Sequence, residues 1–443
     1  MNAARRFSLW SAAAVIVSWS ASAGAWAERR FPPPQFDTPH AIPEPTTPPP
    51  DALWRDGLDV ALLALALVVG AWLVLRRRSR RGVFVLAAAC LVYFGFVRHG
   101  CVCPIGSIQN VSLALSDSSY ALPWVIGAFF LLPIVFTLFF GRIFCAGVCP
   151  LGAIQDLVSW RPIQLPIWLE HALGLVAYAY LGLAVLFAAT GSAFVICEYD
   201  PFVAMFRLSG ETSMLLFGAA LLVLGLFVVR PYCRFLCPYG VVLGWLSPSA
   251  RHKPRIDPVG CVNCHLCRDA CPVNAIDAPS EANGDAAPDR LAERRRMALL
   301  VTTMPVLIFL GVVIGGVSSE RLSRLHRDVA LAERIAAEEA GVVADRTDAS
   351  NAYRQTGRSF ADLRAEADAV RAGFTFGAPV FGGFMGLAVG LKLITLSRRS
   401  NRSEYDIAQS RCVACARCFE FCPHHPPNMV TLELSGATGG REP

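Results

Sequence analysis

Charge is what this chain has least of. Of its 443 residues 17% are charged and 54% hydrophobic, and the mean hydropathy is +0.46. A soluble chain of this length would form two or three domains with polar surfaces; this one must bury most of its apolar surface in lipid. The net charge of +6 is carried by arginine clusters at the ends of apolar runs. That pattern sets membrane orientation and excludes a nucleic-acid partner. Other absences narrow the chemistry. No G-x-G-x-x-G opens a nucleotide fold, and no hydrolase constellation occurs. His171 has no second membrane histidine placed for a b-type haem. The stretch 318–374 contains no cysteine, which makes it a docking domain, a shield or a plain spacer.

The chain is rich in cysteine, with 16, and they come in groups. Cys261, Cys264 and Cys267 stand at steps of three, followed by Cys271 and Pro272. The same run returns as Cys412, Cys415, Cys418, Cys422 and Pro423. Three thiolates on one tight loop reach three irons of one cubane, while the fourth cysteine of the run reaches the neighbouring cluster. Two copies therefore predict a bacterial-type two-cluster ferredoxin with crossed ligation. Cys261, Cys264, Cys267 and Cys422 would hold one [4Fe-4S] cluster, and Cys412, Cys415, Cys418 and Cys271 the other. The alternative is a zinc site or a disulfide framework, and zinc ribbons do not use a third three-step cysteine followed by Cys-Pro. Arg268 and Arg417, beside the clusters, would offset their charge.

Read in order, residues 1–27 predict a signal peptide or an N-terminal membrane helix, with Ala25-Trp26-Ala27 as the cleavage pattern. Residues 28–55 form a proline-rich segment outside the membrane. Seven apolar runs follow, at 58–75, 82–97, 121–140, 166–190, 213–230, 297–317 and 376–396. A spanning helix needs about 20 residues, about 17 at the short limit, which makes 82–97 the shortest case. The cluster at 76–81 places the end of the first helix in the cytoplasm by the positive-inside rule. Alternation then puts the clusters at 251–255, 294–296 and 398–399 inside as well. Both ferredoxin halves (251–290 and 405–443) become cytoplasmic, where thiols stay reduced. The 318–374 insert, helical in pattern, becomes periplasmic. The expected fold is an all-α polytopic membrane protein of about seven transmembrane helices, with a split ferredoxin module.

The membrane core, 56–250, contains further cysteines. Cys145 and Cys149, before Pro150, sit just inside the third helix; Cys233 and Cys237, before Pro238, just inside the fifth. Cysteines four apart share one helical face, so these four thiols could meet at the inner membrane edge and hold a cluster or another redox metal. An internal repeat supports convergence. His99-Gly-Cys101-Val-Cys103-Pro104-Ile-Gly-Ser-Ile-Gln-Asn110 matches 145–156 position by position, on the outer side. With Cys197 in the next outer loop, His99, Cys101 and Cys103 form an outer set that could bind copper or iron, or close a disulfide. The core then reads as tandem units, each a helix, an outer cysteine loop, a helix and an inner Cys-x-x-x-Cys-Pro. Parallel repeats of this kind pack about an axis along the membrane normal. Glu198 and Asp200 at the outer boundary could handle protons from a quinol, or solvate a helix end. Cys90, alone in an apolar helix, belongs to the core, and Ser435-Gly-Ala-Thr438 matches a flavin-attachment tetrapeptide by chance.

With these motifs together, the chain resembles the NosR/NapH group of membrane-bound ferredoxins over about residues 55–430. The resemblance implies electron transfer by two [4Fe-4S] clusters between the quinone pool, or a cytoplasmic donor, and a periplasmic redox partner protein. It also implies the bacterial inner membrane and a quinol-dehydrogenase type of subunit. NosR-type members have a periplasmic flavin-binding domain before the first helix, and this chain has only the proline-rich segment there. An assembly factor supplying electrons or metal to a periplasmic metalloenzyme is the alternative. A redox sensor would need an output domain, and none is visible.

Overall fold

In a computed structural model the apolar runs fold as helix, though not as seven straight spans. The structure describes residues 53–100, 103–207, 209, 211–256, 261–279, 290–343, 345–397 and 404–424. The predicted signal peptide, nearly all of the proline-rich segment, Cys101 and the Ser435–Thr438 tetrapeptide lie outside them. The helices are α1 (Leu53–Leu75), α2 (Arg80–Cys90), α3 (Pro104–Ser116), α4 (Trp124–Phe140), α5 (Ile143–Gly147), α6 (Pro150–Val158), α7 (Ile167–Ala189), α8 (Val195–Tyr199) and α9 (Pro201–Arg207). They continue as α10 (Thr212–Gly225), α11 (Pro231–Phe235), α12 (Pro238–Leu246), α13 (Leu266–Asp269), α14 (Arg290–Ser323), α15 (Arg327–Glu339), α16 (Asp348–Gln355), α17 (Phe360–Ser397) and α18 (Arg417–Glu420).

Among the described residues five helices are long and apolar enough to cross a membrane: α1, α2 with its π-helical continuation to Val97, α7, α14 and α17. The run at 213–230 is a different object. It pairs α9 with α10 across a 106° bend, a broken span or a re-entrant loop, which would make six spans. The run at 121–140 becomes α4, 17 residues long, at the short limit for spanning. The bend falls between Arg207, the end of α9, and Thr212, the start of α10. The second departure is due to proline: Pro123 caps α4, which therefore begins only at Trp124.

The core is built where these pieces meet. α3 packs on α4 and α7, α1 on α4 and α5, and α12 on α7. Tyr232, Tyr239, Phe129, Phe202 and Phe206 are fully buried there, and Cys90 is buried as well. Asp59 in α1 is ion-paired with Arg98 at 2.8 Å and accepts from Tyr93 Oη at 2.8 Å. α14 and α17 form a separate antiparallel pair touching the core through α17 against α7. Their axes approach so closely that a Cβ on Gly382 would meet the Gly311 carbonyl, and one on Gly386 the Leu307 carbonyl. This is the small-residue packing that membranes favour, where lipid gives helices no hydrophobic reason to associate. At the far end of the pair the insert closes on its own apolar cluster of Val329, Ala332, Ile335, Leu363 and Ala367.

At the other end the chain makes its only sheet among the described residues. β1 (Ile276–Asp277) and β2 (Asp406–Ile407) pair antiparallel, Ile276 opposite Ile407. The strands come from the two cysteine-rich halves, separated in sequence by α14 to α17. Arg411 binds Asp277 at 2.6 Å, and the Tyr405 hydroxyl meets His265 Nδ1. Apolar residues of both halves, including Val273, Ile276, Ile407 and Val413, join the same core as the membrane helices.

Candidate metal centre

The two ferredoxin loops have the same backbone. Asn263 and His265 have φ of 53° and 63°; their counterparts Ala414 and Ala416 have 54° and 60°. A non-glycine residue in that region costs about 1–2 kcal/mol, so four at matching positions mark a conformation held for a purpose. Alternating handedness turns successive N–H groups into a concavity suited to an anion. The Ala414 N–H points at Cys412 Sγ, 3.4 Å away, and the Ala275 N–H at Cys271 Sγ, 3.3 Å away. A one-turn helix, α13 or α18, then carries the third cysteine of each loop.

Sheet pairing brings the cysteines together across the halves. Because β1 follows Cys271 and β2 precedes Cys412, the pairing sets Cys271 beside the second loop. Cys271 lies in the field of Cys415, and Cys418 in the fields of Cys415, Cys412 and Cys271. Cys267 lies in the fields of Cys264, Cys261 and Cys422. Burial, with the neighbouring thiols adding to it, pushes Cys412 up to about 12 and Cys267 to about 11. Such thiols ionise when a metal replaces the proton. Among the described residues no three His, Cys, Asp or Glu side chains close around a single ion. A lone tetrahedral ion with bonds of about 2.3 Å would draw its sulfurs to within about 3.8 Å of each other. Four neighbouring thiols with N–H groups aimed at their sulfurs fit the ligand set of a multi-iron cluster. Arg268 contributes its carbonyl to Gln164 Nε2 at 3.3 Å, and Arg417 lines a cavity with Arg80, Asp156, Arg230 and Cys415.

The Cys-x-x-x-Cys-Pro motifs do not form one helical face. Cys145 and Cys233 sit in the one-turn helices α5 and α11, while Cys149 and Cys237 are extended residues capping α6 and α12. Proline at the first position of each following helix forces the break. The broken form still gathers the thiols. Cys145, Cys149 and Cys237 are buried, and Cys149 lies in the fields of Cys233, Cys145 and Cys237.

Two glutamines join the motifs in pairs. Gln155 in α6 donates to Cys233 Sγ at 3.4 Å and accepts the Tyr232 N–H at 3.0 Å. Gln109 in α3 donates to Cys197 Sγ at 3.7 Å and accepts the Ile196 N–H at 2.6 Å. Each glutamine thus reads the cysteine of the next unit and the residue before it. Cys103 lies in the fields of Asp200 and Cys197, and its field also reaches Cys149. Asp200 is 3% exposed and accepts from Tyr232 Oη at 3.0 Å, which ties it into the core rather than to solvent. His99 and Glu198 are exposed. The repeated Gln was visible in the sequence repeat; its role was not, because both partners come from distant units.

Arginines connect this set to the ferredoxin. Arg230, 1% exposed and with φ of 53°, grips Asp156 by Nε and Nη2, each at 2.7 Å. It also donates to the Cys145 and Ala146 carbonyls and lies in the fields of Cys233 and Cys415. Arg142 donates to the Ser410 carbonyl at 2.9 Å and approaches Cys145 Sγ at 4.0 Å.

Comparison with known proteins follows the same residues. A family described as a 4Fe-4S binding domain matches 122–175 and 211–256, which contain Cys145, Cys149, Cys233 and Cys237. A second family with that description matches 254–277, containing Cys261 to Cys271. The chain is 31% identical over 122 residues to YccM of Escherichia coli (strain K12), whose name calls it an electron transport protein; the match covers 25% of this chain and 34% of YccM. It is 31% identical over 136 residues to the protein NirI of Paracoccus denitrificans (strain Pd 1222), covering 28% of this chain and 19% of NirI. The chain thus spans about a third of the first relative and about a fifth of the second. No solved structure matches it.

Proposed function

We propose that this chain is a membrane-bound 4Fe-4S ferredoxin that carries electrons between the quinone pool, or a cytoplasmic donor, and a periplasmic redox partner; the 4Fe-4S family matches and the likeness to YccM and NirI support it. Cys261, Cys264, Cys267 and Cys422 would hold one cluster, Cys271, Cys412, Cys415 and Cys418 a second, and Cys145, Cys149, Cys233 and Cys237 a third. When bound, a [4Fe-4S] cluster supplies a one-electron carrier whose potential depends on charge, hydrogen bonds and exposure. The protein's own part is to hold the thiolates, aim N–H groups at sulfur and keep water out. Cys103 and Cys197 would extend the line toward the outer face.

The observation that carries this reading is continuity. Arg142 and Arg230 each lie in the fields of one ferredoxin cysteine and one membrane cysteine. The field of Cys149 in turn overlaps that of Cys103. Successive cysteine sets, from the second ferredoxin loop to Cys103 and Cys197, thus act on one another's charge or share an arginine, which supports the reading. We place the ferredoxin module in the cytoplasm and the 318–374 insert in the periplasm of a bacterial inner membrane. The Arg78 guanidinium over the Phe419 ring, 5.1 Å from its centroid, supports that side, since it puts the 76–81 cluster beside the ferredoxin.

Iron and labile-sulfide counts on the purified protein, with low-temperature EPR after reduction, test the reading. Two ferredoxin cubanes alone contain eight irons and three clusters contain twelve. Cys271→Ser should remove the signal of the cluster built on the second loop and leave that of the first. Fewer than eight irons, or loss of the first-loop signal instead, would contradict the crossed ligand sets.

A further inference from the structure

Arg142 is a buried cation with an unusual set of partners. It is 8% exposed. Among the described residues its guanidinium meets the Ser410 carbonyl and Cys145 Sγ, and its Nε has no partner. Arg230, the other buried arginine at this junction, is neutralised by Asp156. A guanidinium withdrawn from water stays there when an anion faces it. The anions available to Arg142 are thiolates: Cys145 by contact, Cys237 from α12 and Cys412 from the second ferredoxin loop by field. The guanidinium packs on one face of α12: a Cβ on Gly240 would lie 3.4 Å from Arg142 Nη2, and one on Gly244 would lie 4.0 Å from Nη1, both ordinary contact.

We infer that Arg142 is a positioning residue for electron transfer, the shared counter-charge of two thiolate-bound centres. One centre is that of Cys271, Cys412, Cys415 and Cys418; the other is that of Cys145, Cys149, Cys233 and Cys237. This rests on the cluster reading above. A fixed positive charge favours the form of each centre that carries the extra electron, so it raises both potentials. By bonding the Ser410 carbonyl it also seats the second ferredoxin loop against the membrane core.

The test is an EPR-monitored redox titration of the full-length protein in its wild-type, Arg142→Gln and Arg142→Lys forms, with iron counted in each. Arg142→Gln should keep its iron while both centres become at least tenfold harder to reduce, a fall of about 59 mV for a one-electron couple. Arg142→Lys, which keeps the charge, should remain within that limit. Full iron with unchanged potentials in the glutamine variant would overturn the inference, as would a shift at one centre only. An equal fall in the lysine variant would overturn it too, since charge would not be the cause. If the glutamine variant does not assemble, the lysine variant decides: lost iron or a tenfold shift there counts against a charge role. A wild-type protein with iron at the ferredoxin loops alone would remove the membrane centre, and that failure is read separately, from the count.

Discussion

At the scale of single residues, the chain repeatedly buries a charge and then surrounds it. Glu338 in the insert shows the principle away from the membrane. Its side chain is 4% exposed and accepts from Arg354 at 2.8 Å, Ser350 Oγ at 2.9 Å, Arg334 at 3.2 Å and the Thr347 N–H at 3.4 Å. Burial alone would raise its pKa. The donors overcome that and hold the carboxyl at about 2, below its ordinary 4.5. A carboxyl depressed by folding stabilises the fold fully above its unfolded pKa, and that contribution drains away as pH falls through the folded value. The insert should therefore lose protection in hydrogen exchange between about pH 4.5 and pH 2, first at α15 and α16, which Glu338 links. Glu338→Gln should be less stable at neutral pH and flat across that window. An unchanged pH profile in the variant would show that another carboxylate governs the insert.

At the scale of elements, what the sequence made legible was local and what it hid was long-range. The spacing of 261–271 and 412–422 gave both loops, because three-step cysteines dictate a tight turn whatever surrounds them. The split of the ferredoxin by two apolar helices was equally plain. The Cys-x-x-x-Cys-Pro motifs read as helix but fold as a broken turn, since proline at 150 and 238 starts a new helix instead of bending the old one. The roles of Arg142, Arg230 and the two glutamines were hidden because each joins residues tens of positions away or more, Arg142 the Ser410 carbonyl and Gln155 Cys233. The glycines of α14 and α17 belong with them: Gly311 and Gly382 are unremarkable until the helices are placed side by side. Gly382→Leu would drive a side chain into the Gly311 carbonyl. Overpacking of this kind costs about 1–3 kcal/mol, and separating the pair also moves the strand that α17 delivers. A cysteine cross-link engineered between α14 and α17 should form less in that variant, and the iron of the second ferredoxin loop should fall with it. Full iron in a variant whose helices have separated would mean that the β1–β2 pairing and the Arg411–Asp277 bond align the halves without the helical pair.

At the scale of the whole molecule, orientation follows from where charge and fold meet. The ferredoxin halves, Arg78 against Phe419, and the arginines at 251–255 lie at one end of the helices. The insert, with its own apolar cluster, caps the other end of the α14–α17 pair. Long domains cross membranes largely regardless of charge, whereas arginines within 15–20 residues of a helix end set the side. On the proposed orientation the short loop at 76–81 decides, with the ferredoxin end inside. An epitope inserted after Gly341, in the turn following α15, should bind antibody in intact spheroplasts. The same epitope at the carboxyl end of the chain should bind after lysis alone. Reversed accessibility would put the cysteine loops in an oxidising compartment, where free thiols are not maintained. The succession from ferredoxin to outer cysteines would then have its donor and acceptor ends exchanged. Replacing the five arginines of 76–81 by glutamine should loosen the topology in the same assay, because no other short loop of the described residues has so dense a positive cluster.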